Sequence, residues 1–237
     1  MIKGIVFDID GTLLNHEQAV EKALTKLYLL MKSKIRHSRF DEFLLAWKTN
    51  TDKYIKEYLD GFLSFKQQRI LRVQSVFNKW NCPLTSDKAW ELFKIYLNEY
   101  EKNWILYEDV VPCLAMLKDF PLGVISDGNA EQQRRKLEFT SISSYFRSII
   151  ISGEVGLQKP HPKLFKMSAK ELNLSLDEIL YVGDQLEKDA LGAFKAGMQG
   201  VLINRTNQIH ESSDIRIISE LTELPQIADS FSSVGCS

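Results

Sequence analysis

The sequence is poor in several features that would fix its setting. It has three cysteines, Cys82, Cys113 and Cys236, and no two of them share a pairing or metal-ligand spacing. So sparse and odd a count argues against a disulfide frame or a zinc site and for a reducing compartment. None of the four histidines has a partner at metal-ligand spacing. No apolar run approaches the ~20 residues of a membrane span. The N-terminus enters a strand-like segment with no leader pattern, so no membrane association is expected and the cytoplasm is the expected location. The net charge is only -1, which gives no global field to draw nucleic acid. There is no internal repeat and no low-complexity tract. What remains is a globular composition, 44% hydrophobic and 26% charged over 237 residues, enough for one large domain or two small ones.

The chain changes character twice. Residues 2–9 (IKGIVFDI) form a short β-branched and aromatic run of the kind buried in parallel sheets. Residues 15–105 are expected to be wholly helical: Leu24, Leu27, Tyr28 and Met31 repeat at i, i+3, i+4, i+7, and Phe93, Tyr96, Tyr100 and Trp104 do much the same. This block holds 15 of the 25 aromatic residues, which we read mainly as core. It is mildly basic, with 16 Lys/Arg against 11 Asp/Glu, over an acidic remainder. From Val110 strands and helices alternate. Strands are expected at 121–126, 147–152, 179–182 and 200–203, and helices at 110–118, 130–138, from Pro162, and at 185–196 with Gly197 ending the last. Repeated strand–helix units predict an α/β fold with a doubly wound, parallel, Rossmann-like sheet. The helical block, residues 15–105, interrupts a core of 1–14 and 106–237. A tail from about residue 229 is expected to be loose.

Ligands of such sheets bind beyond the carboxyl ends of the strands, and the chemically suggestive residues fall there. Asp8 and Asp10 are two apart on an extended segment, so they project to one side. Two carboxylates that close need a cation or a shared proton, and Mg²⁺ suits oxygen ligands of this kind. Ser126, followed by Asp127-Gly128-Asn129, ends the next strand, where a hydroxyl and free N–H groups at a helix start can bind phosphate. Lys159 precedes Pro160-His161-Pro162, and His161 reads as a turn residue. Asp184 follows the strand ILYV, with Asp189 in the next helical turn. Each of these has a bland reading as a cap or a surface charge. Their order, each at a strand end, makes the joint pattern specific.

On these residues the chain resembles the haloacid dehalogenase-like superfamily, and its C1-capped phosphatase branch, similar to phosphoglycolate phosphatase and β-phosphoglucomutase. DIDGT at 8–12 looks like the first motif, Ser126 the second, Lys159 with Pro160 the third, and GDQLEKD at 183–189 the fourth. The helical insert resembles the branch's cap domain. The resemblance implies a Mg²⁺-dependent phosphatase working through an aspartyl-phosphate. Asp8 would be the nucleophile and Asp10 the general acid and base, with a pKa held near the working pH. Asp8, the Asp10 backbone carbonyl and Asp184 would hold Mg²⁺. Ser126, Asp127 and Lys159 would line the phosphate, while Thr12 orients the loop and Asp189 steers the lysine or a metal water. Asp127 departs from the asparagine frequent in this branch; a side chain facing the phosphate would weaken its binding.

The implied partner is a small-molecule phosphate ester; the oligomeric state is left open. A phosphomutase of the same superfamily is the alternative, followed by a dehalogenase, which uses no acid at the Asp10 position, and a non-catalytic binding module. A receiver-type signalling domain is excluded by length and motif order.

Overall fold

The computed structural model describes residues 1–205 and 215–233, with the side chains of 231–233 left aside. His210, Cys236 and the last residues of the tail lie outside the described residues. The chain divides into two compact units, Met1–His16 with Trp104–Ser237, and Glu17–Asn103.

The first unit is built on a six-stranded parallel sheet. Its strands are β1 (Gly4–Phe7), β2 (Leu122–Ser126), β3 (Phe146–Ile151), β4 (Ile179–Gly183), β5 (Gln199–Ile203) and β6 (Arg216–Ile218), in the order β3-β2-β1-β4-β5-β6. The order reverses at β1, so the chain winds outward in both directions from it. Helices cover both faces, which is why β1, β2 and β4 are buried at every residue and read as unbroken apolar runs. Register fixes the site: Phe7 pairs with Val124 of β2 and Val182 of β4, so the segments following these three strands emerge side by side.

The second unit contains α1 (His16–Met31, its first residue in the sheet unit), α2 (Phe40–Leu59), α3 (Phe65–Asn78) and α4 (Ser86–Lys102). Its aromatic residues make its core. Phe43, Trp47, Phe77, Phe93, Tyr96 and Tyr100 are all buried, with Phe43 edge-on to Phe77 at 5.7 Å and Trp47 against Tyr96 at 4.4 Å between centroids. The helix ends carry local stops: Ser64 and Gln67 form a reciprocal capping box on α3, and Thr85 caps α4. Arg72 is buried here, donating to Gln68 Oε1 at 2.7 Å beside the Trp47 and Phe93 rings; burial pulls its guanidinium down to about 10.

The remaining helices belong to the sheet unit: α5 (Val110–Met116), α6 (Ala130–Phe139), α7 (Ser152–Val155), α8 (Pro162–Leu172), α9 (Leu191–Ala196) and α10 (Leu224–Ser233). Four features differ from expectation, the first being α7, which begins at a residue expected in a strand. Residues 185–196 are not one α-helix, because Leu186–Ala190 is wound as a π-helical turn before α9 begins. Strand β6 follows a segment with no sequence signal we recognised. Residues 229–233 continue α10 rather than starting a loose tail, anchored by Leu224, Ile227 and Ala228, which are fully or almost fully buried. Among the described residues no helix is long and apolar enough to cross a membrane.

Candidate active site

Asp8 follows β1, its N–H donating to the Val182 carbonyl at 2.9 Å, which fixes the residue at the sheet's carboxyl edge. The side chain is buried, and Lys159 Nζ lies 2.5 Å from its Oδ1. Lys159 is also buried, against the usual expectation for a lone lysine, because it has two counter-charges: Asp189 Oδ1 is 2.7 Å from the same nitrogen. The Tyr181 hydroxyl stands 3.3 Å from the ammonium and 3.0 Å from Asp189 Oδ1. Desolvation works against the charged lysine, but Asp189 and Asp8 outweigh it and raise its pKa. Desolvation also raises Asp8, with Lys159 opposing and Asp189 and Asp184 reinforcing.

The π-helical turn explains how Asp189 arrives there. Its Oδ2 accepts the Gln185 N–H at 3.0 Å while its N–H donates to the Gln185 carbonyl at 2.9 Å, so the carboxylate folds back over the turn toward the lysine. Gly183 makes room, since a Cβ there would come within 2.4 Å of the Asp189 carboxyl carbon. Gly11 does the same for Asp184: its φ is +84°, and a Cβ would sit 2.2 Å from Asp184 Oδ2. Gly11 therefore lets Asp184 approach the loop after β1, and Gly183 lets Asp189 approach the end of β4.

Asp8, Asp184 and Asp189 each offer a carboxylate oxygen, all within 4.8 Å of one another. Asp184 Oδ1 is buried without a hydrogen-bond partner. Desolvation first, then the charge of Asp189, pushes Asp184 up to about 7. An orphaned oxygen among crowded carboxylates, in an all-oxygen donor set, fits a divalent cation. Asp189 has both oxygens engaged by Lys159, Tyr181 and Gln185, which leaves Asp8 and Asp184 as the carboxylates better placed to turn toward a metal.

Ser126, buried at the end of β2, lies in the loop that Asn129 closes by accepting the Gln132 N–H at 3.0 Å. Asp127 has one carboxylate oxygen engaged by a neighbouring loop. Its Oδ1 accepts the Lys159 N–H at 3.0 Å, tying the loop after β2 to the lysine loop. Burial raises its pKa, with Lys159 opposing. The Gly128 N–H is taken by Ser152 Oγ at 2.9 Å. Thr12 Oγ1 is 3.5 Å from Asp8 Oδ2, and the Thr12 carbonyl accepts from Arg205, whose guanidinium also grips Asp109. His161 caps α8, Nδ1 accepting the Lys163 N–H.

Asp10 departs from expectation. Its two oxygens lie 2.7 and 2.6 Å from Lys136 Nζ, and Gln133 Nε2 is 2.8 Å from Oδ2. Burial opposes ionisation, but Lys136, His16 and Gln133 outweigh it and bring the pKa down to about 2 instead of near working pH. Sequence reading missed Lys136, Gln133, Tyr181, Ser152 and Arg205. Three carried a signal. Gln133, Lys136 and Leu137 share one face of α6, and a phenol inside the aliphatic strand ILYV needs a buried polar partner.

Comparison with known proteins gives the family. The haloacid dehalogenase-like hydrolase family matches residues 2–197. A glyceraldehyde 3-phosphate phosphatase of Methanopyrus kandleri is 43% identical over 212 residues, covering 86% of this chain and 85% of its own. The N-acylneuraminate-9-phosphatase of Mus musculus is 26% identical, covering 97% of this chain and 94% of its own. The magnesium-bound crystal structure of YfnB from Bacillus subtilis, described as a HAD-hydrolase, superposes with a TM-score of 0.78 at 20% identity, covering 96% of this chain and 99% of that one. The chain belongs to the haloacid dehalogenase-like hydrolases, in their phosphatase branch.

Proposed function

We propose that this phosphoric monoester hydrolase acts on a small phosphorylated metabolite through an aspartyl-phosphate on Asp8. The observation that carries the reading is the buried Asp8–Lys159–Asp189 chain beside the orphaned oxygen of Asp184. Asp8, Asp184 and Asp189 against Lys159 leave the site at -2 when all are ionised. A phosphate dianion does not enter such a field unless a cation offsets it. Asp8, Asp184 and the Asp10 carbonyl would hold Mg²⁺, which would neutralise charge on the transferring phosphoryl group.

In the first step the Asp8 carboxylate attacks phosphorus, the ester P–O bond breaks, and Asp10 gives a proton to the leaving oxygen. In the second, water attacks phosphorus, Asp10 takes its proton, and inorganic phosphate leaves with Asp8 restored. The Lys136 ammonium and the Gln133 amide favour the ionised form of Asp10, the form the second step needs. A dianionic ester beside it raises its proton affinity for the first. Ser126 and Lys159 position the phosphoryl oxygens. Asp127 acts on the loops, its Oδ1 held by the Lys159 N–H. Glyceraldehyde 3-phosphate and 9-phosphorylated acylneuraminates head the substrate classes to test, from the relatives' names. The helical unit, residues 15–105 in our reading, acts as the cap that selects among them. The cytoplasm is the proposed location.

Asp8→Asn is expected to lower Mg²⁺-dependent turnover of an aryl phosphate at least ~10³-fold while circular dichroism shows a folded protein. Turnover near the wild-type rate would end this mechanism. A metabolite screen that releases phosphate without a bisphosphate activator separates hydrolase from mutase.

A further inference from the structure

Asp10 is held from the side by α6. Gln133 and Lys136 lie on one face of that helix, three residues apart, so both reach the same point. Lys136 is only 2% exposed, and its ammonium spans both carboxylate oxygens at 2.6–2.7 Å. Gln133, equally buried, divides its amide: Nε2 lies 2.8 Å from Asp10 Oδ2 and 2.8 Å from the Asp127 carbonyl. One nitrogen thus ties the carboxylate of Asp10 to the loop that follows Ser126. Gly128 permits this, because a Cβ there would stand 2.8 Å from that nitrogen. A buried ammonium costs several kcal/mol unless paired, and a leucine at position 136 would pack without that cost. The ion pair of Lys136 with Asp10 offsets that cost.

We infer that Lys136 and Gln133 form a clamp on α6 that aims the Asp10 carboxyl at the phosphoryl group and its leaving oxygen, and so act as positioning residues for the reaction. The inference rests on Asp10 being the acid of the first step. A carboxyl that can rotate freely loses the alignment with the leaving oxygen on which proton transfer depends, and misplacement by about 1 Å is enough to cost ~10²-fold.

The test uses the need for a proton. An alkyl phosphate, such as glycerol phosphate, has a leaving oxygen that must be protonated; 2,4-dinitrophenyl phosphate does not. For both, kcat/KM reads the first step alone. Lys136→Met fills the buried volume without the charge. It is expected to lower kcat/KM for the alkyl ester ~10²-fold and for the dinitrophenyl ester less than ~3-fold, and Lys136→Arg should recover part of the alkyl loss. Gln133→Leu should show the same selectivity more weakly, and carries the test if Lys136→Met does not fold. Equal losses on both esters, or no loss on either, would overturn the clamp. Asp10→Asn run in parallel separates the two claims. If it is selective and the clamp variants are not, only the clamp fails. If Asp10→Asn is itself unselective, the acid role fails and the clamp with it.

Discussion

At the scale of single residues the site is a problem of crowded negative charge, and Asp184 shows it most plainly. Its pKa lies near 7 in the folded chain, against an ordinary value of 3.8. The folded state therefore binds this proton more tightly than the unfolded one. The stability it contributes is full below about pH 4 and is lost as the pH rises toward 7. Asp10, depressed to about 2, behaves oppositely: its contribution is present above 3.8 and is lost only in strong acid, outside this range. Thermal melts in a chelator should thus show a Tm falling between pH 5 and pH 8. Added Mg²⁺ should raise Tm more at pH 8 than at pH 5, because metal and proton compete for the same oxygens. A chelated Tm independent of pH would contradict the raised pKa of Asp184, and an equal Mg²⁺ shift at both values would contradict the metal assignment. Most of these residues were visible in the sequence because they stand at predicted strand ends. What was not visible is how they pair. That Lys159 is buried between Asp8 and Asp189, that Asp127 turns to a backbone N–H, and that Asp10 is gripped by α6 all depend on contacts between residues far apart in sequence.

At the scale of elements, legibility followed the strength of the local pattern. The buried strands before Asp8, Ser126 and Asp184 are unbroken apolar runs ended by glycine or polar residues, and the structure places them within a residue or two of the reading. The π-helical turn at Leu186–Ala190 could not be read, since LEKDA at helical spacing looks like any first turn. Strand β6 was missed because three residues with Arg216 at their head carry no clear period. In the helical unit, the aromatic spacing was readable as core, and its energy should follow. Phe43 is fully buried, packed against Phe77, Tyr28 and Trp80. Phe43→Ala is expected to cost about 3–5 kcal/mol of stability, measured by urea unfolding. A loss below about 1 kcal/mol would mean that the aromatic cluster is not the unit's core.

At the scale of the whole molecule, the parallel sheet explains why one site gathers residues from positions 8 to 189. The topology reverses at β1, and the loops following β1, β2 and β4 open at one edge. A nucleophile, a lysine and an acidic metal set reach that edge from separate loops. On the proposed mechanism one of them, Asp8, becomes covalently phosphorylated. The direct measurement uses Asp10→Asn with 2,4-dinitrophenyl phosphate and Mg²⁺: the good leaving group lets the first step run, and the missing base slows the second. Acid quenching followed by peptide mass mapping should find one phosphoryl group on the N-terminal peptide at Asp8, absent when Asp8→Asn is added. A wild-type enzyme that turns over while the quenched Asp10→Asn variant carries no phosphoryl group at Asp8, or carries it elsewhere, would rule out the aspartyl-phosphate mechanism.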